Sequence, residues 1–315
     1  MSTKLSIVGG GGLVGSCTAF ALQNCGTVRE IVLIDVNQDL AQGQALDLKH
    51  CGPLLADQIV RTGCARDYVD SDIICITAGL RRQPNESRLD LINRNTQLFR
   101  GILAEIQAVG TKPTAIVLVV SNPVDLLTQL ATQTLDLPAN QIIGLGTQLD
   151  TIRFRSILAG QLQVPPSQVS ALVLGEHGDS MVPIWSSATI AGLPIDKFHN
   201  WSTQLASLAL EQTKKSGAEV IRTKGGAGFA VGVAIADVVE SIVLDQKRIL
   251  PVSSLQFGKI AGIRDISLSV PTVVGRSGVA DHLALSFWPV EENQLRASAH
   301  ALRQTWQHML NTSLR

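Results

Sequence analysis

A run of four glycines near the start of the chain is the feature that most restricts what this sequence can fold into. The run, Gly9–Gly12, follows the short apolar segment Leu5–Val8 and precedes a segment rich in alanine and leucine. Gly10, Gly12 and Gly15 form a G-x-G-x-x-G pattern at this junction. Glycines at a strand-to-helix turn permit a tight turn and a close approach of the backbone to a pyrophosphate, which binds at the helix N-terminus. The spacing therefore predicts a dinucleotide-binding turn; a purely structural glycine turn is the alternative.

An acidic residue follows the glycine turn at the distance that is typical of a ribose-binding carboxylate. Asp35 stands 20 residues after Gly15, at the end of the apolar run Ile31–Ile34. A carboxylate at this position binds the ribose hydroxyls and repels a 2′-phosphate, so NAD is expected rather than NADP. No Gly-Lys-Ser/Thr sequence follows the glycines, which excludes a Walker A loop. The residues predicted to contact the cofactor here are Gly10, Gly12, Leu13, Val14, Gly15 and Asp35.

The first 145 residues alternate short apolar runs with helical patterns. The runs are continuous rather than alternating in polarity, which is typical of parallel strands that are buried on both faces. Helical segments between most of them indicate βαβ units, so we predict an α/β fold with a Rossmann-type doubly wound parallel sheet over residues 1–145. The strand candidates are Leu5–Val8, Ile31–Ile34, Ile59–Thr62, Asp72–Thr77, Ala115–Val120 and Ile142–Leu145.

The pattern changes at Gly146, where longer helices and fewer apolar runs begin. We therefore predict a C-terminal α+β substrate domain over residues 146–315. The helix that starts at Ala227 is almost entirely apolar, so it is expected to be buried on most sides. Helices are predicted near 147–162, 202–222 and 227–245 and at the C-terminus, and strands near 171–174, 182–190 and 266–274.

Composition and charge restrict the partners of the chain. Lysine and arginine together number 26, as do aspartate and glutamate, so the formal net charge is zero. Without a global field that attracts polyanions, neither nucleic acid nor a membrane surface is expected as a partner. The first apolar run is too short for a signal peptide, and Ala115–Val120 is far shorter than the roughly 20 residues that span a bilayer. Five cysteines without a C-x-x-C pair favour reduced thiols, so a cytoplasmic location is expected.

Several enzyme classes are excluded because their motifs are missing. The only tyrosine is Tyr68, and Asp72 stands where the Tyr-x-x-x-Lys pair of short-chain dehydrogenases needs lysine. Gly178-Asp-Ser180 is not the G-x-S-x-G elbow of serine hydrolases. Neither H-E-x-x-H nor a paired Cys/His spacing is found, so no metal site is predicted.

The remaining candidates for chemistry are histidine, aspartate and arginine. His177 lies in the glycine-flanked segment Gly175–Asp179, directly after a predicted strand. Asp150 and Arg153 stand three residues apart in a predicted helix and therefore share one face, where a local ion pair is the alternative interpretation. A loop after the fourth predicted strand carries Arg81, Arg82 and Arg88, which in isolation would indicate a solvated surface.

These residues stand in segments that resemble the L-lactate/L-malate dehydrogenase family. The segments occur in the order and spacing of that family, and the resemblance covers essentially the whole chain. They are Thr77–Arg88, Ser121-Asn-Pro123, Gly146–Phe154, Gly175-Glu-His-Gly-Asp179, Ile249–Ser254 and Val274-Gly-Arg276. The resemblance implies an oxidoreductase that transfers a hydride between NAD and a small 2-hydroxy acid.

The resemblance also implies the roles of four side chains. His177 corresponds to the acid/base and Asp150 to the aspartate that orients it. This assignment suits the chemistry, because imidazole titrates near neutral pH and a carboxylate stabilises the imidazolium. Arg88 is similar to the loop arginine that polarises the C2 carbonyl, and Arg153 to the guanidinium that binds the C1 carboxylate as a bidentate fork.

Further positions match the substrate and cofactor contacts of the family. Asn122 corresponds to an asparagine that hydrogen-bonds the substrate oxygen, and its bond to Pro123 is cis in the family. Asn95, Val119 and Ser121 match positions that line the cofactor.

The substrate depends, in this resemblance, on the residue six positions before the loop arginine, which is Arg82. Arginine here is similar to the malate-specific members, because a guanidinium pairs the second carboxylate of a dicarboxylate. Ala227 leaves room for a bulkier substituent on C3. The expectation is therefore an NAD-dependent malate dehydrogenase of the tricarboxylic acid cycle. Glu86-Ser87 is more typical of lactate enzymes, and Arg81 adjoins Arg82, so an L-lactate or other L-2-hydroxy acid dehydrogenase is the alternative.

Two further expectations concern assembly and the class of protein. The low charged fraction, 17 % against roughly 25 % in an average chain, is consistent with surface that is covered by neighbouring subunits. The family forms dimers and tetramers, so a homodimer or homotetramer is expected. A non-catalytic NAD-binding module is the alternative from another class, but it would need a broken acid/base set, and His177, Asp150 and Arg153 are all present.

Overall fold

The computed structural model describes residues 3–80 and 88–313, without the side chains of residues 88, 89 and 311–313. The described strands are β1 (Lys4–Val8), β2 (Glu30–Ile34), β3 (Ile59–Thr62), β4 (Ile73–Ile76), β5 (Ile116–Val119), β6 (Ile142–Gly144), β7 (Val169–Leu174), β8 (Val182–Ile190), β9 (Leu193–Pro194), β10 (Arg248–Phe257), β11 (Arg264–Gly275) and β12 (Gly278–His282). The described helices are α1 (Leu13–Cys25), α2 (Gln38–Cys51), α3 (Arg88–Val109), α4 (Val124–Thr134), α5 (Gln148–Leu162), α6 (Thr203–Lys224), α7 (Phe229–Val243) and α8 (Pro289–Ser313).

Nine strands form one sheet in the order β12-β11-β10-β6-β5-β4-β1-β2-β3. Strands β1 to β6 run parallel to one another, and apart from the edge strand β3 nearly all of their residues are buried, in two apolar clusters. The chain order reverses between β1 and β4, which leaves a crevice at the carboxyl ends of these strands, where ligands bind in open α/β sheets. The predicted α/β fold with a Rossmann-type parallel sheet is confirmed.

Local chemistry explains where helices begin and end. Helix α6 starts after Ser202, whose hydroxyl accepts a hydrogen bond from the amide of Leu205 at 3.1 Å. It ends at Gly225, which adopts the left-handed conformation with φ +82° that favours glycine at a helix C-terminus. These caps place α6 within two residues of its predicted span.

The main sheet extends beyond its parallel strands in a way that apolar periodicity does not predict. Strand β10 joins β6 in antiparallel orientation through the pair Ser253 and Gly144. The strand is rich in buried polar residues, and these bond to one another within the sheet. The Ser254 hydroxyl lies 2.8 Å from Nε2 of His282 on β12, and the Gln256 amide donates to the Ser254 carbonyl at 2.8 Å. Buried polar side chains of this kind make the strand look like a loop in the sequence.

Helix α7 is buried along most of its faces, as its apolar sequence predicts, but one stripe of it is open. One face packs against α1 so closely that a Cβ on Gly232 would lie 2.6 Å from the carbonyl oxygen of Cys17. The opposite face is open: Phe229 is 70 % and Val233 59 % exposed in the chain as described. The apolar sequence of α7 therefore reflects two different surfaces, one in the core and one uncovered.

Strands β7, β8 and β9 form a second, antiparallel sheet that packs with α5 and α6. Its core includes Phe154 and the edge-to-face contact between Phe154 and Trp185, whose ring centroids lie 5.1 Å apart. In the part of the chain that the structure describes, no helix is both long enough and apolar enough to cross a membrane.

A network of charges ties the amino ends of the parallel strands together. Lys4 on β1 contacts the carboxylates of Asp67 and Asp70, and Arg61 on β3 contacts Asp67 at 2.5 Å. Burial by itself would raise the pKa of the Asp67 carboxyl, but Arg61, Lys4 and the Cys64 amide together hold it well below its usual range. Asp67 is 13 % exposed, whereas Asp70 is 67 % exposed. Water therefore screens the second contact far more than the first.

We expect Asp67→Asn to lower the free energy of unfolding at pH 7 by about 3 kcal/mol, because it leaves two cations without their shared buried partner. Urea denaturation measures this change. Asp70→Asn is the matched control and should cost less than about 1 kcal/mol. Since the folded-state pKa of Asp67 is depressed, its contribution is fully present above the ordinary carboxyl pKa of about 4 and is lost progressively as the pH falls from there through the folded-state pKa, so the difference between wild type and variant should shrink steadily below pH 4. Equal losses in both variants would contradict this account.

Candidate active site

The glycine turn has the shape that a pyrophosphate-binding turn requires. Gly9 has φ +85°, and a Cβ on Gly15 would lie 2.3 Å from the carbonyl oxygen of Gly9, so only glycine fits where the helix meets the turn. Gly12 precedes the first residue of α1, Leu13, and no side chain caps this helix end. The amide groups at such an uncapped N-terminus suit an anionic ligand.

The acidic residue predicted to bind the ribose lies beside this turn. Asp35 follows β2, and its Oδ2 accepts a hydrogen bond from the amide of Gly11 at 3.0 Å. Its Oδ1 accepts from the amide of Asn37 at 2.9 Å. The carboxylate is half-buried and held by backbone donors at the end of the strand, which fits an adenosine ribose. These observations show that the residues present suit NAD.

Two polar side chains from other elements hold the segment that follows β4. Oδ1 of Asn95, on α3, accepts a hydrogen bond from the amide of Leu80 at 2.7 Å. The Ser121 hydroxyl, after β5, donates to the carbonyl of Ala78 at 2.5 Å. Val119 ends β5 and is wholly buried. The three residues thus lie along the crevice, at the carboxyl ends of β4 and β5.

The structure brings His177 and Asp150 together. Nδ1 of His177 donates a hydrogen bond to Oδ2 of Asp150 at 2.5 Å, although 27 positions separate the two residues. This contact leaves Nε2 as the ring nitrogen that can exchange a proton with a ligand. The pair has the geometry of an oriented acid/base.

Two hydrogen-bonded clamps position this pair. Helix α5 is tied to β7 near Asp150, since the Thr147 hydroxyl donates to the Val173 carbonyl at 2.5 Å and the Thr151 hydroxyl accepts from the Val173 amide at 3.0 Å. After β7, Gly175 has φ +85° and exchanges two backbone hydrogen bonds with Ser269 of β11, at 2.8 and 3.0 Å. The chain therefore leaves β7 in a fixed direction, with the histidine two residues later.

The surroundings of His177 favour its protonated form. Burial by itself would lower the pKa of His177, but the charge and hydrogen bond of Asp150 and the nearby charge of Asp125 together raise it, against the opposing charge of Arg153. Asp150 is almost completely buried, whereas the imidazole keeps some contact with solvent. A histidine with a raised pKa near a buried carboxylate is suited to give and take a proton near neutral pH.

Arg153 extends the site along α5. Its Nη1 lies 3.4 Å from Oδ1 of Asp150, so both partners predicted from their three-residue spacing meet on one helix face. Gly217 of α6 faces the guanidinium, where a Cβ would lie 3.6 Å from Nη1. The side chain is largely buried and paired on one edge only, which suits a site for a substrate carboxylate.

The other predicted substrate contacts are only partly covered by the described residues. Asn122 is exposed and its peptide bond to Pro123 is cis, as expected. Ala227 lies just before α7, half-buried. Arg82 lies outside the described residues. Arg88 begins α3, and its side chain lies outside them as well.

One carboxylate next to His177 was not among the sequence-predicted site residues. Asp125, in the first turn of α4, accepts a hydrogen bond from the backbone amide of His177 at 2.8 Å. Both residues line a cavity of about 300 Å³, with Glu176 and Asp179 among its other walls. One feature of the sequence could have identified Asp125: it is the only acid in the otherwise apolar segment Val124–Leu127, at the start of a predicted helix, where a charge is unusual.

Comparison with known families matches both halves of the chain. Residues 3–144 match the family described as lactate/malate dehydrogenase, NAD binding domain. Residues 147–312 match lactate/malate dehydrogenase, alpha/beta C-terminal domain. The first half therefore is an NAD-binding domain of this family, and NAD is its cofactor.

Curated relatives match nearly the full length. An L-lactate dehydrogenase of Synechococcus sp. (strain JA-3-3Ab) is 40 % identical over 96 % of this chain and 97 % of its own length. L-lactate dehydrogenase 1 of Clostridium acetobutylicum is also 40 % identical, with the same coverage. Among solved structures, the ligand-bound minor L-lactate dehydrogenase of Enterococcus mundtii superimposes with a TM-score of 0.92, at 36 % identity over 98 % of both chains.

These relatives also overturn one expectation. They are L-lactate dehydrogenases, so the expectation of an NAD-dependent malate dehydrogenase of the tricarboxylic acid cycle is wrong. That expectation depended mainly on Arg82, with the small side chain of Ala227 as support, and a single charge does not define a pocket whose other charges come from distant segments. Since the family matches and the relatives cover nearly all of the sequence, the chain belongs to the lactate/malate dehydrogenase family.

Proposed function

We propose that the chain interconverts an L-2-hydroxy acid and its 2-oxo acid with NAD, and that its substrate pair is L-lactate and pyruvate. The observation that carries this proposal is the Asp150–His177 hydrogen bond of 2.5 Å with the Arg153 guanidinium beside it. An oriented acid/base next to a carboxylate-binding cation suits a small hydroxy acid. Relatives about 40 % identical over nearly the whole chain are named L-lactate dehydrogenase, which supports lactate as the substrate.

The proposed chemistry divides between the cofactor and the side chains of the chain. Bound NAD supplies the acceptor for the hydride that leaves C2 of the hydroxy acid with its electron pair. Nε2 of His177 accepts the hydroxyl proton as the C2–O bond becomes a carbonyl, and Asp150 stabilises the resulting imidazolium. In the direction of reduction, protonated His177 returns that proton to the oxygen. The protons and electrons balance without any further reactant.

Binding of the substrate is assigned to three groups. Arg153 pairs the C1 carboxylate, and its proximity to Asp150 sets the carboxylate on the same face of α5 as the acid/base couple. Asn122 hydrogen-bonds the substrate oxygen, and Arg88 polarises the carbonyl. The roles of Asn122, Arg88 and Arg82 in contacting the substrate stay predictions.

We expect kcat/KM for pyruvate with NADH to exceed kcat/KM for oxaloacetate, in keeping with the relatives named L-lactate dehydrogenase that match nearly the whole chain. Steady-state rates with both acids at the same NADH concentration measure the ratio. A higher value with oxaloacetate would contradict the proposed substrate.

We expect His177→Asn to lower kcat/KM for pyruvate by about 10³-fold, because asparagine cannot supply the proton. NADH binding, followed by its fluorescence, should be unchanged. His199→Asn is the matched control, since His199 is exposed and lies away from the pair. Full turnover in the His177 variant would remove the acid/base assignment.

The proposal extends to organisation and location. Residues 1–145 bind the cofactor and residues 146–315 supply the acid/base pair and Arg153, and we propose that the reaction takes place between them. A cytoplasmic location stays a prediction.

We also propose that the chain forms a homodimer or homotetramer through the open face of α1, α5 and α7. A groove of about 540 Å³ lies there, and Phe20, Phe229 and Val233 expose apolar surface along it. Arg248 and Asp237, paired at 2.6 Å, add both signs of charge to its lining. An apolar face with both signs of charge suits a second copy related by a twofold axis.

We expect Val233→Lys to shift the protein towards the monomer, because a lysine would be buried in the apolar contact. Sedimentation velocity over a range of concentrations measures the mass. Val69→Lys is the matched control, because Val69 is also an exposed valine, at 47 % against 59 % for Val233. Val69 lies away from the proposed interface, since its neighbour Tyr68 packs in the apolar cluster that contains no residue of α7. The same assembly in both variants would exclude this face as the interface.

A further inference from the structure

A second buried carboxylate meets His177 at its backbone. Asp125 is 2 % exposed, and its Oδ2 accepts the His177 amide at 2.8 Å. Its other oxygen, Oδ1, is buried and has no hydrogen-bond partner among the described residues. The hydroxyl of Ser253 on β10, also buried, is likewise without a partner there. Asp125 is therefore a buried ionisable group whose Oδ1 makes no described hydrogen bond, although the Ser253 hydroxyl lies near enough to influence its pKa.

Stability alone does not explain a carboxyl group at this position. Burial raises the pKa of Asp125 to about 6, in spite of the opposing effects of the Ser253 hydroxyl and the His177 amide and charge. A carboxyl with a raised folded-state pKa destabilises the fold as the pH rises above its ordinary value, because the native state resists the charge. An asparagine would accept the same hydrogen bond from His177 without that penalty. A charge retained at such a cost points to function.

We propose that Asp125 is a positioning residue for His177, which fixes the histidine backbone through its hydrogen bond and favours the imidazolium through its charge. This inference rests on the proposed function, in which His177 exchanges the substrate proton. The two carboxylates have complementary contacts: Asp150 holds the ring at Nδ1, and Asp125 holds the main chain. Neither contact blocks Nε2.

Among the side chains that the structure describes, the charges around His177 come from three segments. Helix α5 contributes Asp150 and Arg153, and α4 contributes Asp125. Glu176 and Asp179 belong to the same loop as the histidine, and Glu176 contacts the Ser180 hydroxyl. The cavity residues from α3 and α8 are uncharged, namely Ile92, Leu302 and Thr305. Among these groups, the described structure gives a hydrogen bond to His177 only for Asp150 and Asp125.

Removing the charge of Asp125 should change kcat/KM in opposite directions for the reduction and the oxidation. Asp125→Asn keeps a hydrogen-bond acceptor and removes the charge, so the pKa of His177 should fall. Reduction of pyruvate needs the imidazolium, so its kcat/KM above that pKa should fall by about tenfold. Oxidation of lactate needs neutral imidazole, so its kcat/KM below that pKa should rise. A merely structural defect would lower both.

The experiment compares wild type, Asp125→Asn and the control Asp136→Asn, in which an exposed carboxylate at the end of α4 is neutralised. Rates in both directions are measured from pH 5 to 9, and the His177 titration is followed by NMR of ¹³C-labelled histidine, assigned with His177→Asn. We expect the shift only in Asp125→Asn, with wild type and variant converging near pH 5, where Asp125 is protonated. The thermal midpoint of Asp125→Asn at pH 8 should equal or exceed that of wild type.

Three results would overturn the inference, because each indicates a passive or structural role for Asp125. They are unchanged pH–rate profiles in Asp125→Asn, an equal loss of kcat/KM in both reaction directions, and failure of this variant to fold. The wild-type NMR titration provides a test without any variant: His177 should also sense a titration near pH 6 that comes from Asp125. Its absence would count against the proposal. If the wild-type protein had no activity on any 2-oxo acid, the proposed function would be wrong. The NMR titration would still test whether the charge of Asp125 affects the pKa of His177.

Discussion

The hydrogen bond between Asp150 and His177 is the constraint on which the rest of the site depends. It joins the first turn of α5 to the loop after β7, and each of these segments is held by the sheets rather than by its own sequence. Thr147 and Thr151 tie the helix to β7, while Gly175 bonds to β11. A buried acceptor at 2.5 Å tolerates little displacement, because a shift of one ångström would leave the carboxylate unpaired in a poorly hydrated space.

The same sheet connects this pair to the cofactor half. Strand β6 ends the parallel series, and β10 continues the sheet through Ser253 and Gly144. Gly146, with φ +54°, follows this contact, and a Cβ there would lie 2.2 Å from the Ser269 hydroxyl, so the chain turns into α5 at a point where only glycine fits. The glycine turn after β1 and the acid/base pair are thus parts of one rigid framework, which suits a reaction that needs two groups at a fixed separation.

The sequence-based predictions failed where the polarity or charge of a side chain was interpreted without knowledge of the groups that pack against it. Strand β10 was missed because its serines and glutamine look solvated, yet Ser254 and Gln256 are buried and bond within the sheet. Helix α7 is buried over most of its surface, as its apolar sequence predicts, but that sequence did not indicate that Phe229 and Val233 lie open. The malate expectation took one arginine as the sign of a dicarboxylate. In each case the missing information was what lies opposite the side chain.

The sequence by itself determined the features that depend on local backbone sterics and on short spacings. Four glycines between an apolar strand and a helix, with an acid 20 residues later, are sufficient to predict the NAD-binding half, because only glycine allows that turn. The spacing of Asp150 and Arg153 predicts a shared helix face for the same local reason. Only the tertiary structure decided that Asp150 and Asp125 meet His177 from 27 and 52 positions away, and which carboxylate stays without a full set of partners. Such contacts depend on how strands and helices pack, and no local pattern encodes the distance between residues on different elements.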